Sequence, residues 1–71
     1  MKLSNKIEKL RKIRGWSQEE LANKIGVSRQ AVFKWESGAN MPDIEKIKKL
    51  VDLFKVSYDF LLDDNVEFDY K

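Results

Sequence analysis

The 71-residue chain contains no cysteine and no histidine. Their absence removes disulfides, thiolate and imidazole zinc sites, cysteine nucleophiles and histidine general bases together. With one proline and three glycines, there is little to interrupt helices and no glycine-rich loop to cradle a phosphate. No apolar run approaches the roughly 20 residues of a membrane span. Met1 to Lys6 has no long apolar core behind it, so no secretory signal is expected. No enzyme activity, cofactor, metal or small-molecule ligand is expected on these grounds. The lack of cysteine fits a reducing, cytoplasmic setting.

What remains is rich in charge and helix-forming residues. Hydrophobic residues make up 42% and charged residues 37% of 8.4 kDa. A chain this short holds one domain, whose core leaves about 3–5 kcal/mol of net stability. Net charge is only +2, but it is segregated. Residues 1–58 carry 13 Lys/Arg against 7 Asp/Glu, a net +6, while residues 59–71 carry 1 against 5, a net −4. A basic body points to a polyanionic partner.

The apolar spacing predicts five helices. Leu3, Ile7, Leu10 and Ile13 form one stripe, and Gly15 follows where a helix end favours glycine. Ser17 reads as an N-cap, with Glu20 completing a capping box and Trp16 and Leu21 as a hydrophobic staple. That helix runs through Ala22 and Ile25 to Gly26. Val27-Ser28 opens a third helix, with Ala31, Val32 and Trp35 inward and Ser37-Gly38 at its end. After the loop 38–42, Asp43 caps a fourth helix with Ile44, Ile47, Leu50, Val51 and Phe54 on one side. Val56-Ser57 opens a short fifth helix holding Phe60, Leu61 and Leu62. Beyond it, Val66, Phe68 and Tyr70 alternate with acids, as in an extended arm, a solvated terminus or a linker to a further domain.

Only Gly26, Val27 and Ser28 separate the second and third helices, so the two must cross steeply, at roughly 90–120°. Ala22 permits close approach, Gly26 takes the turn, and Val32 packs back. This is a helix-turn-helix pattern. The stretch Trp16 to Gly38, with Pro42 and the segment Val56-Ser57-Tyr58-Asp59-Phe60-Leu61-Leu62, resembles the Cro and phage-repressor type helix-turn-helix family of bacterial and phage regulators. The resemblance implies an all-α, five-helix bundle over residues 1–62, with an acidic tail or arm at 63–71. It implies a sequence-specific DNA-binding transcriptional regulator, of the repressor kind, acting as a dimer on a palindromic operator. It also implies a salt bridge between Arg11 and Glu36, and a phosphate contact by Gln18.

The third helix supports the same expectation independently. At about 100° per residue, Arg29, Phe33, Ser37, Gln30 and Lys34 fall within an arc of about 140°, opposite Ala31 and Trp35. Arg29 and Gln30 suit bidentate contacts to guanine and adenine, with Lys34 approaching bases nearby. Phe33 has three possible fates: against a thymine methyl, on a protein partner, or folded onto Asn40 and Met41. Phosphate contacts are expected from Ser17, Gln18, Ser28, Ser37 and Asn40. The loop after the third helix has no Lys or Arg, so Lys46 is expected to substitute. Leu53, Leu62, Val66 and Phe68 have no evident core role and are expected at a dimer interface. The alternative reading is a protein-interaction module, an antitoxin or adaptor, that keeps the bundle.

Overall fold

A computed structural model describes residues 1–66. It contains α1 (Leu3–Ile13), α2 (Gln18–Ile25), α3 (Arg29–Ser37), α4 (Ile44–Phe54) and α5 (Tyr58–Leu62), and no strand among the described residues. The fold is all-α with five helices, as expected. Phe68 and Tyr70 of the expected arm lie outside the described residues.

Short-range polar bonds define the helix starts. Ser17, Ser28, Asp43 and Ser57 each accept from the backbone N–H three residues on, at 3.0, 3.1, 3.0 and 2.9 Å. Each cap supplies a partner that the helix itself cannot. The Ser17 cap is reciprocal, since the Ser17 N–H donates to Glu20 Oε1 at 2.9 Å. Between α2 and α3, Gly26 takes φ +89°, where a Cβ would be strained. Its N–H and that of Val27 both donate to Ala22 O. The chain thereby reverses in three residues and lays α3 on α2.

The core comes from one face of each helix: Leu3, Ile7 and Leu10; Leu21, Ala22 and Ile25; Val32 and Trp35; Ile47, Leu50 and Phe54; and Leu61. α1 packs on α3 and α5, and α2 on α3 and α4. The staple residues Trp16, Val27 and Val56 sit half-buried against this core. Two expected core residues do not join it. Ile13 and Ile44 are 49% and 71% exposed. Each step of three residues rotates a helix about 300°, so a stripe spaced by threes drifts about 60° per step. That drift carries Ile13 and Ile44 off the packed face at the ends of their helices.

Leu53 is half-buried, packed against the edge of the core. The core at this end is closed by residues from the α1–α2 connection. Trp16 meets the Phe54 ring at 5.8 Å between centroids. Arg14 reaches over to donate to the Leu53 and Phe54 carbonyls.

Candidate nucleic-acid interface

The close fit of α3 on α2 decides which side of α3 meets solvent. Val32 is fully buried, Trp35 is 6% exposed, and Ala31 is half-buried. Arg29, Gln30, Phe33, Lys34 and Ser37 are all exposed. The outer arc inferred from helical periodicity is therefore the outer face of the molecule. Its N-terminal end carries Arg29 and Gln30 directly after the Ser28 cap, beside the positive end of the helix dipole.

A buried ion pair fixes α3 from behind. Arg11 Nε and Nη2 donate to the two carboxylate oxygens of Glu36 at 2.7 and 3.0 Å, and Nη1 donates to Trp16 O at 2.7 Å. The two side chains are 10% and 4% exposed. Hydrogen bonding to Glu36 pushes the Arg11 pKa up; burial opposes it and loses. The pair expected from family resemblance is thus present, as a two-point bond between α1 and α3. Gln18 joins it, donating Nε2–H to Glu36 Oε1 at 3.0 Å. An amide nitrogen carries two N–H bonds, so this bond orients Gln18 and leaves a second donor. One carboxylate therefore sets the relative positions of α1, the start of α2 and α3.

The other expected anion contacts differ in availability. Ser17 and Ser28 are exposed, and their oxygens accept the capping bonds, so each hydroxyl proton remains to be donated. Ser37 is different. Its hydroxyl proton goes to Lys34 O at 3.1 Å and its oxygen accepts from Ala39. Lys46, expected beside the loop, is partly covered. Its side chain is only 23% exposed, and its Nζ lies 3.7 Å from Glu45. The loop gains a cation from elsewhere. Lys2 lines a cleft of about 290 Å³ with Gly38, Asn40, Met41 and Asp64. Nothing local in the sequence pairs residue 2 with residue 40; only the packing of α1 on α3 brings them together.

Phe33 is 55% exposed. It borders a shallow hollow of about 200 Å³ with Glu8, Gln18, Glu36 and Ser37. Asn40 and Met41 line the separate cleft. Leu62 is 42% exposed in the Lys2 cleft, near Leu3, Trp35 and Met41, and Val66 is half-buried.

Comparisons with known proteins agree with this geometry. A family model described as helix-turn-helix matches residues 7–61. The chain is 40% identical over 62 residues to the HTH-type transcriptional activator BcrR of Enterococcus faecalis, covering 87% of this chain and 30% of that protein. It is 37% identical to the cryptic phage CTXphi transcriptional repressor RstR of Vibrio cholerae, covering 87% of this chain and 56% of the repressor. It therefore spans between about a third and just over half of these curated relatives. Among solved structures, the P22 c2 repressor in complex with a synthetic operator superposes with a TM-score of 0.84 at 28% identity, covering 92% of this chain and 98% of the repressor chain. The biofilm regulator SinR in complex with DNA gives 0.77 at 32% identity, covering 86% and 98%.

Proposed function

The chain belongs to the helix-turn-helix family of the phage-repressor type, and from that premise we propose that it is a DNA-binding transcriptional regulator of the repressor kind. It works by occupancy of DNA and not by catalysis, in the cytoplasm where the DNA is. α3 enters the major groove. Arg29 and Gln30 read base edges, Lys34 approaches them, and Phe33 presses on a thymine methyl. Ser17, Gln18, Ser28 and Asn40 hold phosphates, through hydroxyl, amide and backbone donors at helix starts and in the loop. Lys2 takes the place beside that loop first expected of Lys46. Ser37, whose proton is already donated, contributes shape only.

The observation that carries this reading is the outer face of α3. It holds a guanidinium, an amide, an aromatic ring and an ammonium side by side in solvent. A carboxylate that is 4% exposed anchors the helix from its inner side.

The regulator acts as a homodimer. The body is 28 Å in its longest extent, shorter than the roughly 34 Å that separates half-sites one helical turn apart. One copy therefore cannot span a palindrome. Leu62 and Val66, with Leu53 at the edge of the core, are the residues assigned to the contact; Phe68 lies outside the described residues.

Selection from a random DNA pool tests the whole reading. The expected result is an enriched inverted repeat with half-sites one turn apart. A pool that stays random after several rounds overturns it. One observation favours the second reading, a protein-docking module: Phe33 is 55% exposed, an apolar ring open to a partner's side chain. Under that reading, Phe33→Ser keeps DNA affinity and loses a protein partner.

A further inference from the structure

The cleft beside the loop after α3 brings free donors and an apolar surface together. Its volume of about 290 Å³ is close to the lower end of small-molecule sites, roughly 300–1,000 Å³. Leu3, Trp35, Met41 and Leu62 are its apolar walls. The start of α1 opens into it, since Lys2, Leu3 and Ser4 all line it. That start has no side-chain cap and no acidic residue in its first turn, so the positive end of its dipole is uncompensated. Trp35 supplies a second, independent donor. It is 6% exposed, and its indole N–H makes no hydrogen bond among the described residues. No fully buried side-chain nitrogen or oxygen there lacks a partner, so this N–H is not sealed in the core and meets solvent where Trp35 lines the cleft. Asp64 is the one acid that lines it. The α5 wall is held in place from α1. Lys6 is fully buried, and its Nζ donates to Phe60 O at 2.5 Å and to Asp63 O at 2.7 Å, on either side of Leu62. No stretch of the sequence displays this site, because residues 2, 35 and 62 meet only in the fold.

We propose that this cleft binds a small carboxylate with an apolar body, and that the bound carboxylate competes with DNA. Lys2 and the start of α1 attract its charge, the Trp35 indole donates to one of its oxygens, and the apolar walls hold its body. A free phosphate would use the donors and leave the walls idle. The competition rests on the DNA-binding reading above, which gives Lys2 and Asn40 to phosphates. Binding of the carboxylate itself does not rest on it.

The test titrates the ¹⁵N-labelled chain with phenylacetate, with inorganic phosphate and phenethylamine as controls. Two tryptophans give two assignable indole N–H signals, one from Trp35 and one from Trp16. The Trp35 signal should shift saturably with phenylacetate while that of Trp16 stays. Inorganic phosphate should bind about tenfold more weakly or worse, for want of an apolar body, and the amine should not shift the signal. Lys2→Gln, at an exposed residue, should weaken phenylacetate binding about two- to fivefold. Asp64→Asn, which removes the lining acid, should tighten it. A stationary Trp35 signal, equal shifts of both indoles, or a response to phosphate or to the amine as strong as to phenylacetate overturns the proposal.

The competition is read on a duplex carrying one half-site. Saturating phenylacetate should weaken its binding by at least about threefold, through the phosphate contacts it displaces. Unchanged half-site affinity overturns the competition, and so does a loss confined to the full operator, which would place the effect at the contact between copies. Wild-type protein that binds no duplex defeats the DNA reading and the competition together. The Trp35 signal still reports separately whether the cleft takes a carboxylate.

Discussion

At the level of single residues, two side chains on α3 carry different burdens. Gln30 is exposed and makes none of the hydrogen bonds that hold the fold, so Gln30→Ala should leave stability unchanged. On selected operator DNA it should relax preference at one base pair per half-site by about 1–3 kcal/mol. Binding to a panel of operators varied at single positions reads this directly. Glu36 is the reverse case. Removing a partner from a buried ion pair costs about 3–5 kcal/mol, because the remaining charge stays desolvated. A domain of this size has about that much stability in total. Glu36→Ala should therefore leave much of the chain unfolded at 25 °C, visible in the helical circular dichroism signal. The exposed i,i+4 pair of Glu8 and Lys12, 3.3 Å apart, should matter far less when broken. Residues with similar names along the sequence thus differ in weight according to burial.

At the level of helices, termini decide more than interiors. The backbone N–H of Ser17, and then its side chain, hold the Glu20 carboxyl below the ordinary carboxylate range. A group whose pKa is lower in the folded state stabilises the fold above its unfolded pKa. That contribution is lost as pH falls through the lowered value. The capping box should weaken in acid. Glu20→Gln keeps an acceptor for the Ser17 N–H but no longer titrates. Its urea midpoint should fall less between pH 7 and pH 3 than that of the wild type. The end of α4 offers a gain instead. Lys55 is the only non-glycine with positive φ among the described residues, at 58°. Lys55→Gly should raise stability by about 1 kcal/mol, by removing the Cβ penalty of a left-handed cap. Thermal melts would register it as a higher Tm.

The same terminal chemistry explains what could be read ahead of the structure. Ser17, Ser28, Asp43 and Ser57 cap the helices whose starts they mark, because each bond spans three residues and needs no other part of the molecule. Gly26 marks the turn for the same local reason. Ile13 and Ile44 stay exposed, because a stripe spaced by threes turns away from the packed face at a helix end.

At the level of the whole molecule, the distribution of charge matters more than its sum. Residues 1–58 hold a net +6, and the roughly 0.9 contributed to the log–log salt slope by each neutralised phosphate makes their contacts countable. Lys2→Gln should lower that slope by about 0.9 per copy, or about 1.8 for a dimer. Lys46→Gln, at a side chain already largely covered, should leave it near the wild-type value. Binding isotherms at four or five salt concentrations separate the two.

Local order alone determined the five helices, their starts, the tight turn between α2 and α3, and the exposed arc of Arg29, Gln30, Phe33 and Lys34. All of these follow from interactions within about one or two helical turns, which a linear sequence displays. Packing alone decided that Lys6 is a buried clamp, that Leu53 rests against the core, and that Lys2 stands beside the loop after α3. Those outcomes depend on residues dozens of positions apart, such as Lys6 and Asp63. A lysine reads the same in sequence whether water or two backbone carbonyls receive its protons.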